Sequence, residues 1–407
     1  MFMLKASGSQ IMARTLRVLQ VHNYYRLRGG EDESFEAEVM LLRTRGVEVD
    51  TLSVHNDSIE ERSRLGVAVG TAWSLQAARD MREKLQRFRP TVVHVHNLFP
   101  LLSPAVLAVA SRAGIATVAT LRNYRLGCIN GLLFRDGRVC EDCLGKTVPI
   151  DGLKHRCYRG SLPESAVAVA AIGLHKALRL YQRYVSTFVT LTEFARDKAV
   201  EIGLPEDRIV VKPNFLEQDR LQGNGEGGYA LFVGRLSEEK GVKWLLEAWR
   251  RLPMARTLVL IGSGPLNNFV SSICAERENI RWLGQLGPES VQEWIAGAKC
   301  VIVPSIWYET FGRVVMEAFA ASSPVISSDI GALAELVTNG VNGFKVKPGS
   351  VDELVGAIDG MYGQSDAQYG AMREAARREF LTRFSADANF ERLMDIYQIA
   401  VARASNA

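Results

Sequence analysis

The sequence predicts an α/β protein with two domains, each built on a parallel β-sheet that helices cover. Short apolar strand patterns alternate with longer helical patterns along the whole chain, and this alternation is typical of parallel sheets. A glycine-rich stretch at residues 222–228 interrupts the alternation, and we expect a linker there. At 407 residues the chain is also too long for one ordinary core, which favours two domains.

The pattern divides the chain into five segments. Residues 1–15 are predicted to be an N-terminal tail, and residues 16–214 a first doubly wound domain. Residues 215–228 are the predicted linker, residues 229–385 the second doubly wound domain, and residues 386–407 a C-terminal helix.

Strand and helix patterns follow one another in order through the first domain. A buried strand at residues 16–22 leads through Gly29 and Gly30 to an acidic amphipathic helix at residues 31–43, which Gly46 ends. Further strands are predicted at residues 47–54, 91–96, 116–121, 188–191 and 209–212. The same alternation resumes after the linker, so the second domain is expected to repeat this architecture.

The charge is unevenly distributed between the two halves. Residues 1–215 carry 30 Lys and Arg against 22 Asp and Glu, a net +8, whereas the remainder carries 19 against 23, a net −4. A basic N-terminal domain favours an anionic partner, such as an acceptor that carries pyrophosphate or an acidic membrane face. No nucleic-acid-binding motif accompanies the charge, so we do not expect nucleic acid as a partner.

The sequence has neither a long apolar run nor a convincing signal peptide. No apolar run reaches the roughly 20 residues that a membrane-spanning helix needs, and residues 1–15 mix apolar residues with Ser, Gly and Gln. We therefore expect a cytoplasmic protein, either free or bound peripherally to the inner face of the cell membrane through its basic N-terminal domain.

Two glutamates, Glu309 and Glu317, form the most informative motif, with seven residues between them in SIWYETFGRVVMEA at residues 305–318. An apolar strand pattern precedes the motif and a helical pattern follows it. Glu309 therefore lies on the loop at the carboxyl end of a strand, where open parallel sheets bind ligands. Glu317 lies about two turns into the next helix.

The start of that helix is a predicted anion site. Phe311, Gly312 and Arg313 stand at its first turn, where free backbone N–H groups and the helix dipole favour negative charge. A carboxylate beside an anion site suits a ligand that has hydroxyls as well as phosphate, which describes a nucleotide-sugar.

These segments resemble the donor site of the retaining glycosyltransferases of family 4, which have the GT-B fold. The matching segments, in the order that the family shows, are ALFVGRLSEEKG at 230–241, LVLIGSGP at 258–265, SIWYETFGRVVMEA at 305–318, PVISS at 324–328 and NGVNGF at 339–344. The resemblance covers roughly residues 16–395. It implies two Rossmann-like domains facing a central cleft, an N-terminal acceptor domain and a C-terminal donor domain. The last helix is expected to cross back to the first domain.

The resemblance also implies roles for individual residues. Arg235 and Lys240 would neutralise the donor diphosphate, and Glu309 would contact the donor sugar. The donor-binding residues carried over from the family are Gly29, Gly30, Gly234, Gly264, Phe311, Gly312, Arg313 and Glu317. The leaving diphosphate would be stabilised by Arg and Lys, and no Asp-x-Asp pair is placed to hold a metal, so no catalytic metal is expected.

The sequence departs from the family at Arg122 and Asn123, where the family commonly has His followed by Asp or Asn. Arg cannot act as a base, so Arg122 either binds a phosphate or a carboxylated sugar, or alters the activity. His96 ends the preceding strand and, with Asn123, is a candidate acceptor-binding residue. His94 lies on the same face of that strand and is more typical of a structural histidine.

Four cysteines lie close together in a glycine-rich insertion at about residues 124–160: Cys128, Cys140, Cys143 and Cys157. Their central C-x2-C spacing favours a structural zinc ion. The outer spacings are not those of a standard zinc finger, and His155 could replace one cysteine as a ligand. An iron–sulfur cluster, two disulfides or four free thiols remain as alternatives, although a reducing cytoplasm argues against disulfides.

The sequence as a whole therefore predicts a retaining hexosyltransferase. It would move a sugar from a UDP- or GDP-linked donor to a hydroxyl of a glycan or lipid-linked acceptor, in surface polysaccharide or glycolipid biosynthesis. One alternative is a nucleotide-sugar-binding protein with weak or no activity, which Arg122 favours. Another is a GT-B nucleotide-sugar epimerase, against which Glu309 and Glu317 argue.

Overall fold

The structure, a computed structural model, describes residues 16–26, 28–217 and 222–405, which form two compact units. Within the described chain, the first unit consists of residues 16–132, 141–213 and 389–405, and the second of residues 133–140 and 214–388. The predicted N-terminal tail and residues 218–221 of the predicted linker lie outside the described residues. Part of the cysteine-rich insertion thus groups with the second unit, and most of the C-terminal helix groups with the first.

The β-strands keep close to the predicted positions. In chain order they are β1 (Arg17–Tyr24), β2 (Glu48–His55), β3 (Val92–Asn97), β4 (Ala116–Thr120), β5 (Phe134–Arg135), β6 (Arg138–Val139), β7 (Thr187–Thr190), β8 (Ile209–Val211), β9 (Tyr229–Val233), β10 (Thr257–Ile261), β11 (Ile280–Trp282), β12 (Cys300–Val303), β13 (Val325–Ser328) and β14 (Gly343–Val346). Each strand predicted in the first domain lies within about two residues of its expected bounds, which is the usual uncertainty of a boundary.

The α-helices fill the intervals between the strands. They are α1 (Gly30–Thr44), α2 (Arg64–Ala72), α3 (Leu75–Phe88), α4 (Ala105–Arg112), α5 (Ile150–Lys154), α6 (Leu162–Ala177), α7 (Leu180–Tyr184), α8 (Glu193–Glu201), α9 (Val242–Arg251), α10 (Asn267–Glu276), α11 (Pro288–Gly297), α12 (Arg313–Ala320), α13 (Gly331–Leu336), α14 (Val351–Tyr362), α15 (Asp366–Glu379) and α16 (Ala386–Ser405). None of these helices, within the described part of the chain, is both long and apolar enough to cross a membrane.

Each unit is built on a six-stranded parallel sheet. The first sheet has the strand order β2-β1-β3-β4-β7-β8, and the second has the order β11-β10-β9-β12-β13-β14. Strands β3 and β12 are buried along their whole length, because helices cover both faces of such sheets. In each order the chain moves outward from a central strand first in one direction and then in the other. This arrangement confirms the predicted class of two doubly wound α/β domains.

The glycine-rich stretch is not a free linker where the structure describes it. The N–H of Gly223 donates to the carbonyl of Ala321 (3.0 Å), and the N–H of Gly227 donates to that of Gly297 (2.9 Å). A Cβ at Gly223 would lie 1.7 Å from the carbonyl oxygen of Ala296. The glycines are therefore needed for close backbone packing along the second unit, whereas the composition alone indicated flexibility.

Candidate active site

The loop after β12 holds a buried carboxylate against a lysine. The Nζ of Lys240 lies 2.6 Å from the Oε1 of Glu309, and the hydroxyl of Ser305 donates to the same oxygen at 2.7 Å. Burial raises the pKa of Glu309, but Lys240 and the hydrogen bonds outweigh it and hold that pKa below its usual value. Glu309 is therefore a fixed, charged acceptor at the carboxyl edge of the sheet.

Two loops must touch for this pair to form. The loop after β9 ends at Gly241, which has φ 72°, and a Cβ there would lie 1.9 Å from the carbonyl oxygen of Pro304. The N–H of Ile306 donates to the carbonyl of Glu239 at 2.9 Å. Glycine at position 241 thus lets the two loops meet, and the resulting contact brings together the residues predicted to bind the donor.

The start of α12 has the geometry of an anion site. Gly312 precedes the helix with φ 85°, and a Cβ there would lie 2.6 Å from the Cδ2 of Leu333. Phe311 is buried with its ring 5.7 Å from that of Phe384, so the entry to the helix is fixed by packing on both sides. The first N–H groups of an α-helix lack acceptors within the helix, so they can bind negative charge.

Glu317 lies in the second turn of this helix, nearer its start than predicted, and pairs with the helix's own first residue. The Nε of Arg313 donates to the Oε1 of Glu317 at 3.1 Å, and the Glu317 side chain is largely buried. The prediction for Arg313 concerned its backbone, whereas the structure also brings its side chain onto the carboxylate. A hydroxylated ligand at Glu317 would share the carboxylate with this guanidinium or displace it.

The predicted donor-binding glycines after β9 and β10 hold two loops in contact. A Cβ at Gly262 would lie 2.0 Å from the carbonyl oxygen of Gly234, and one at Gly264 would lie 2.4 Å from that of Leu236. The N–H of Gly264 donates to the Oδ1 of Asn267 at 2.7 Å. Packing therefore requires glycine at positions 262 and 264, whereas a Cβ at Gly234 would meet no atom closer than 3.6 Å. The N–H of Gly264 is already used by a protein acceptor.

Arg235 presents its side chain to solvent at the end of the same strand, β9. It is exposed, and the described residues give its guanidinium no hydrogen-bond or ion-pair partner. Lys240, by contrast, is committed to Glu309. Of the two predicted diphosphate-binding cations, Arg235 is thus the one whose donors are all available.

In the first unit, Gly29 and Gly30 open α1 next to open space. The N–H of Gly29 donates to the Oδ2 of Asp32 (3.2 Å), and the other oxygen of Asp32 lies 2.8 Å from the Nε2 of His22. A Cβ on either glycine would meet no atom within 4 Å. Neither packing nor a positive φ requires glycine here, so the bare backbone is free to face a ligand.

His96, a candidate acceptor-binding residue, lines the pocket described below and contacts Arg122. Its Nε2 lies 2.6 Å from the Oε1 of Gln20, and its Nδ1 accepts from the Nε of Arg122 at 3.2 Å. Burial, followed by the neighbouring charges of His94 and Arg122, lowers the pKa of His96 well below its usual range. The neutral ring therefore orients the guanidinium of Arg122, with both of its nitrogens already bonded.

Asn123, the second acceptor candidate, is also bonded within the protein. Its Nδ2 donates to the Oε1 of Glu31 at 3.0 Å and lies 3.4 Å from the hydroxyl of Tyr25. Its Oδ1 accepts from the N–H of Arg125 at 3.0 Å. The side chain therefore ties the loop after β4 to the start of α1, which positions Arg122 indirectly.

A fully buried ionic network supports Arg122 and was missed by the sequence analysis. Glu38 of α1 lies 3.0 Å from the Nζ of Lys212 and 3.1 Å from the Nδ1 of His94. His94 also contacts the hydroxyl of Tyr397, on the C-terminal helix, at 2.9 Å. Burial raises the pKa of Glu38, but Lys212 and the two histidines, His94 and His96, outweigh it and bring that pKa well below its usual range. The only local signal was the presence of polar residues within otherwise apolar strands.

Glu38, His94 and His96 bring three possible metal ligands within 4.8 Å of one another. Their donor atoms are nevertheless in use, and the cations of Lys212 and Arg122 border the group on two sides. A metal ion here would face two positive charges in a buried site. The cluster is therefore a structural network, and His94 is structural as its position on the strand suggested.

A pocket opens in the first unit at the carboxyl ends of β3 and β4. Arg122 and Arg125 line it together with Thr71, His175 and Tyr181, and no carboxylate is among its lining residues. The guanidinium of Arg125 also lies 4.7 Å from the ring centre of Phe99, so an aromatic face holds it in place. Two cations in a pocket lined by no carboxylate suit an anionic ligand.

Three of the four clustered cysteines, Cys128, Cys143 and Cys157, belong to the first unit, although their three sulfur atoms do not all lie within 4.8 Å of one another. Burial, with smaller contributions from Cys128 and Cys157, raises the pKa of the Cys143 thiol to about 11. Cys140 belongs to the segment that groups with the second unit. All four thiols are free of disulfides, so without a metal ion Cys143 is a protonated thiol at neutral pH.

Two sequence families match consecutive parts of the chain. Residues 29–214 match the family described as glycosyl transferase 4-like domain, and residues 216–379 match the glycosyl transferases group 1. The boundary between the two matches falls within two residues of the division between the two units of the structure.

Individual relatives agree with these families. The chain is 25% identical over 383 residues to an uncharacterised glycosyltransferase of Methanocaldococcus jannaschii, a match covering 88% of this chain and 90% of that protein. It is 27% identical over 214 residues to O-antigen chain mannosyltransferase B of Escherichia coli, covering 47% and 54% respectively. The crystal structure of Anabaena HepE with UDP and glucose superposes with a TM-score of 0.64 at 15% identity, covering 94% of this chain and 99% of that one. At this identity the likeness shows the fold alone, and it confirms the predicted GT-B fold.

Proposed function

The chain combines a glycosyl transferase 4-like domain with a domain of the glycosyl transferases group 1, and from this premise we propose that it is a retaining hexosyltransferase. It uses a UDP- or GDP-linked sugar as donor and a hydroxyl group as acceptor. The observation that carries this proposal is the Lys240–Glu309 pair, at 2.6 Å, on the loop that leads into α12. A sugar hydroxyl and a phosphate can be held there at the same time.

The cations near this pair stabilise the leaving group. The bond between the sugar C1 and the diphosphate oxygen breaks, and its electron pair leaves with the diphosphate. Arg235, Lys240 and the first N–H groups of α12 offset the negative charge that develops. The acceptor oxygen bonds to C1 on the face that the diphosphate leaves, and the departing phosphate oxygen takes the acceptor proton.

The pocket beside Arg122 and Arg125 is the proposed acceptor site. Its two cations favour an acceptor that carries a phosphate or carboxylate near the reacting hydroxyl. A lipid-linked or growing glycan of surface polysaccharide or glycolipid biosynthesis carries such a phosphate or carboxylate. The likeness to an O-antigen mannosyltransferase is consistent with such a role. We propose that the protein acts in the cytoplasm.

We further propose that Cys128, Cys140, Cys143 and Cys157 hold a structural zinc ion. The C-x2-C spacing supports this, and Cys128 and Cys157 are near enough to Cys143 to influence its pKa. Zinc binds thiolates, so the ion would displace the protons that burial otherwise keeps on these thiols. It would cross-link the insertion and take no part in sugar transfer.

Nucleotide binding tests the donor site directly. Thermal-shift measurements with UDP, GDP and other nucleoside diphosphates are expected to show stabilisation by one of them, with UDP the first candidate because HepE was solved with it. Glu317→Ala is expected to abolish the shift, whereas Glu374→Ala, which removes an exposed glutamate of α15, keeps it. If no nucleotide shifts the melting temperature of the unaltered protein, the transferase proposal is wrong.

A nucleotide-sugar-binding protein with weak or no activity is the second candidate, and Arg122 is the observation that favours it. Its permanent charge stands where the family commonly places a histidine, and His96 holds it there. Slow donor hydrolysis in the absence of acceptor would support the enzyme. Tight donor binding with no hydrolysis and no transfer to any acceptor would support the binding protein.

A further inference from the structure

Helix α6 presents an apolar face to solvent. Ala166, Ala170, Leu174 and Ala177 are all exposed, and at 100° per residue they lie within about 80° of one another around the helix axis. Leu174, the largest of these four side chains, is 43% exposed to solvent. The outward side of a surface helix is normally polar. Packing of the other side of α6 against the core does not explain why its outward side is apolar.

Neighbouring segments extend this face. On α2, Leu65 is 76% exposed, and α2 is fixed beside α6 by the Nε2 of His175, which lies 2.8 Å from the carbonyl oxygen of Ala72. Val148 packs beside Gly173, where a Cβ would lie 3.4 Å from it. We call the following exposed residues the apolar surface: Leu65, Val69, Val148, Ile150, Leu162, Leu174 and Leu178. They come from three segments but belong to one unit.

Basic residues accompany the apolar surface. Residues 144–183 carry seven Lys and Arg but only two Asp and Glu, a net charge of +5. The exposed members of this set, called the basic rim, are Lys146, Lys154, Arg156, Arg159, Arg179 and Arg183. Lys146 and Lys154 both pair with Asp151, whereas the described residues give Arg156 and Arg179 no ion-pair partner.

We propose that the apolar surface and its basic rim dock on an anionic lipid bilayer. Apolar side chains on helices that lie along an interface enter the boundary between headgroups and acyl chains, and flanking Lys and Arg bind the acidic headgroups. A second copy of this chain is a poorer partner, because a two-fold interface would bring one basic rim against another. The positive charge of the basic rim therefore favours binding to anionic lipid over formation of a homodimer.

The inner side of the same helices faces the pocket described above. Thr71 of α2 and His175 of α6 line that pocket, while the outer sides of these helices carry the apolar surface. Docking would therefore hold the pocket close to the lipid headgroups. This consequence rests on the proposed function, whereas the docking itself does not.

Vesicle flotation of the full chain tests the docking. The protein is expected to float with vesicles of phosphatidylcholine and phosphatidylglycerol, to remain unbound with phosphatidylcholine alone, and to be released by salt. Leu65→Glu/Leu174→Glu and Arg156→Glu/Arg179→Glu should each weaken binding by about tenfold or more. Met254→Glu/Val341→Glu is the matched control, since these residues of the second unit are 54% and 51% exposed.

Several outcomes would overturn the proposal. The absence of flotation with anionic vesicles would do so, as would binding that the first two variants leave unchanged. A dimer in light scattering that Leu65→Glu/Leu174→Glu converts to monomer would show that the surface is a homodimer interface instead. Circular dichroism and the nucleotide-induced thermal shift check that the variants fold. A protein that shows the nucleotide-induced shift but does not bind vesicles would contradict the docking proposal and leave the proposed donor site intact.

Discussion

Replacing Lys212 by methionine is expected to destabilise the first unit strongly. Lys212 and Glu38 are both buried, with Nζ and Oε2 3.0 Å apart, and the Nζ also donates to Asn389 at 3.1 Å. Lys212→Met preserves much of the side-chain volume but removes the positive charge. Glu38 would then be a buried carboxylate whose main partner is gone.

The magnitude follows from the geometry. Two unit charges 3.0 Å apart at an effective dielectric of 20 interact by about 5 kcal/mol, and breaking a buried pair from one side typically costs about 3–5 kcal/mol. Lys212 also lowers the pKa of His94, so its removal lets His94 hold a proton more readily and offset part of the loss. We therefore expect a loss of about 3 kcal/mol, near the lower end of that range.

Urea unfolding monitored by hydrogen exchange of the amides in β1 and β3 reports the stability of the first unit separately from that of the second. The control is Glu38→Gln/Lys212→Met, which removes both charges and should recover most of the stability. If the double variant is no more stable than Lys212→Met, the loss comes from packing and the electrostatic explanation is wrong.

The pH dependence gives a second test of the same pair. The pKa of Glu38 is lowered in the folded protein, so its contribution is present above the unfolded value near 4.5 and is lost as the pH falls below it. In Lys212→Met, burial with weaker compensation raises the pKa of Glu38. The stability difference between the variant and the unaltered protein should then shrink as the pH falls from 7 towards 5. A difference that is independent of pH would contradict this reasoning.

Three further predictions concern the second unit and the cysteine loop. Lys240→Ala should lower turnover about 100-fold with a smaller effect on donor affinity, as measured by single-turnover kinetics; unchanged turnover would remove Lys240 from the proposed mechanism. Gly312→Ala should destabilise the second unit by about 1–3 kcal/mol, because φ is 85° and the new Cβ would lie 2.6 Å from Leu333. Gly356→Ala, a helical site with open space, should not destabilise it, and equal effects in urea unfolding would contradict the packing argument. The purified chain should contain one zinc ion by elemental analysis, and Cys143→Ser should lose it; a metal-free, stable protein would exclude the zinc proposal.

The sequence determined the architecture and the local chemistry of the second domain. Periodicity reports which face of a segment is buried, so the strands of the first sheet could be located without tertiary information. The Glu309–Glu317 motif spans one loop and one helix, and its placement at the carboxyl end of β12 followed from the strand pattern alone.

The tertiary structure decided which polar groups meet in the first domain. Lys212 and Glu38 are 174 positions apart, and His94 and Tyr397 are 303 positions apart, so no local pattern links them. The same holds for His96, whose two nitrogens are bonded to Gln20 and Arg122, 76 and 26 positions away in the chain. A strand pattern predicts that a side chain is buried, but only the packed neighbours determine whether its donors remain free. For that reason the sequence determined the fold and the donor motif, whereas the role of each polar residue around Arg122 was decided by the tertiary structure.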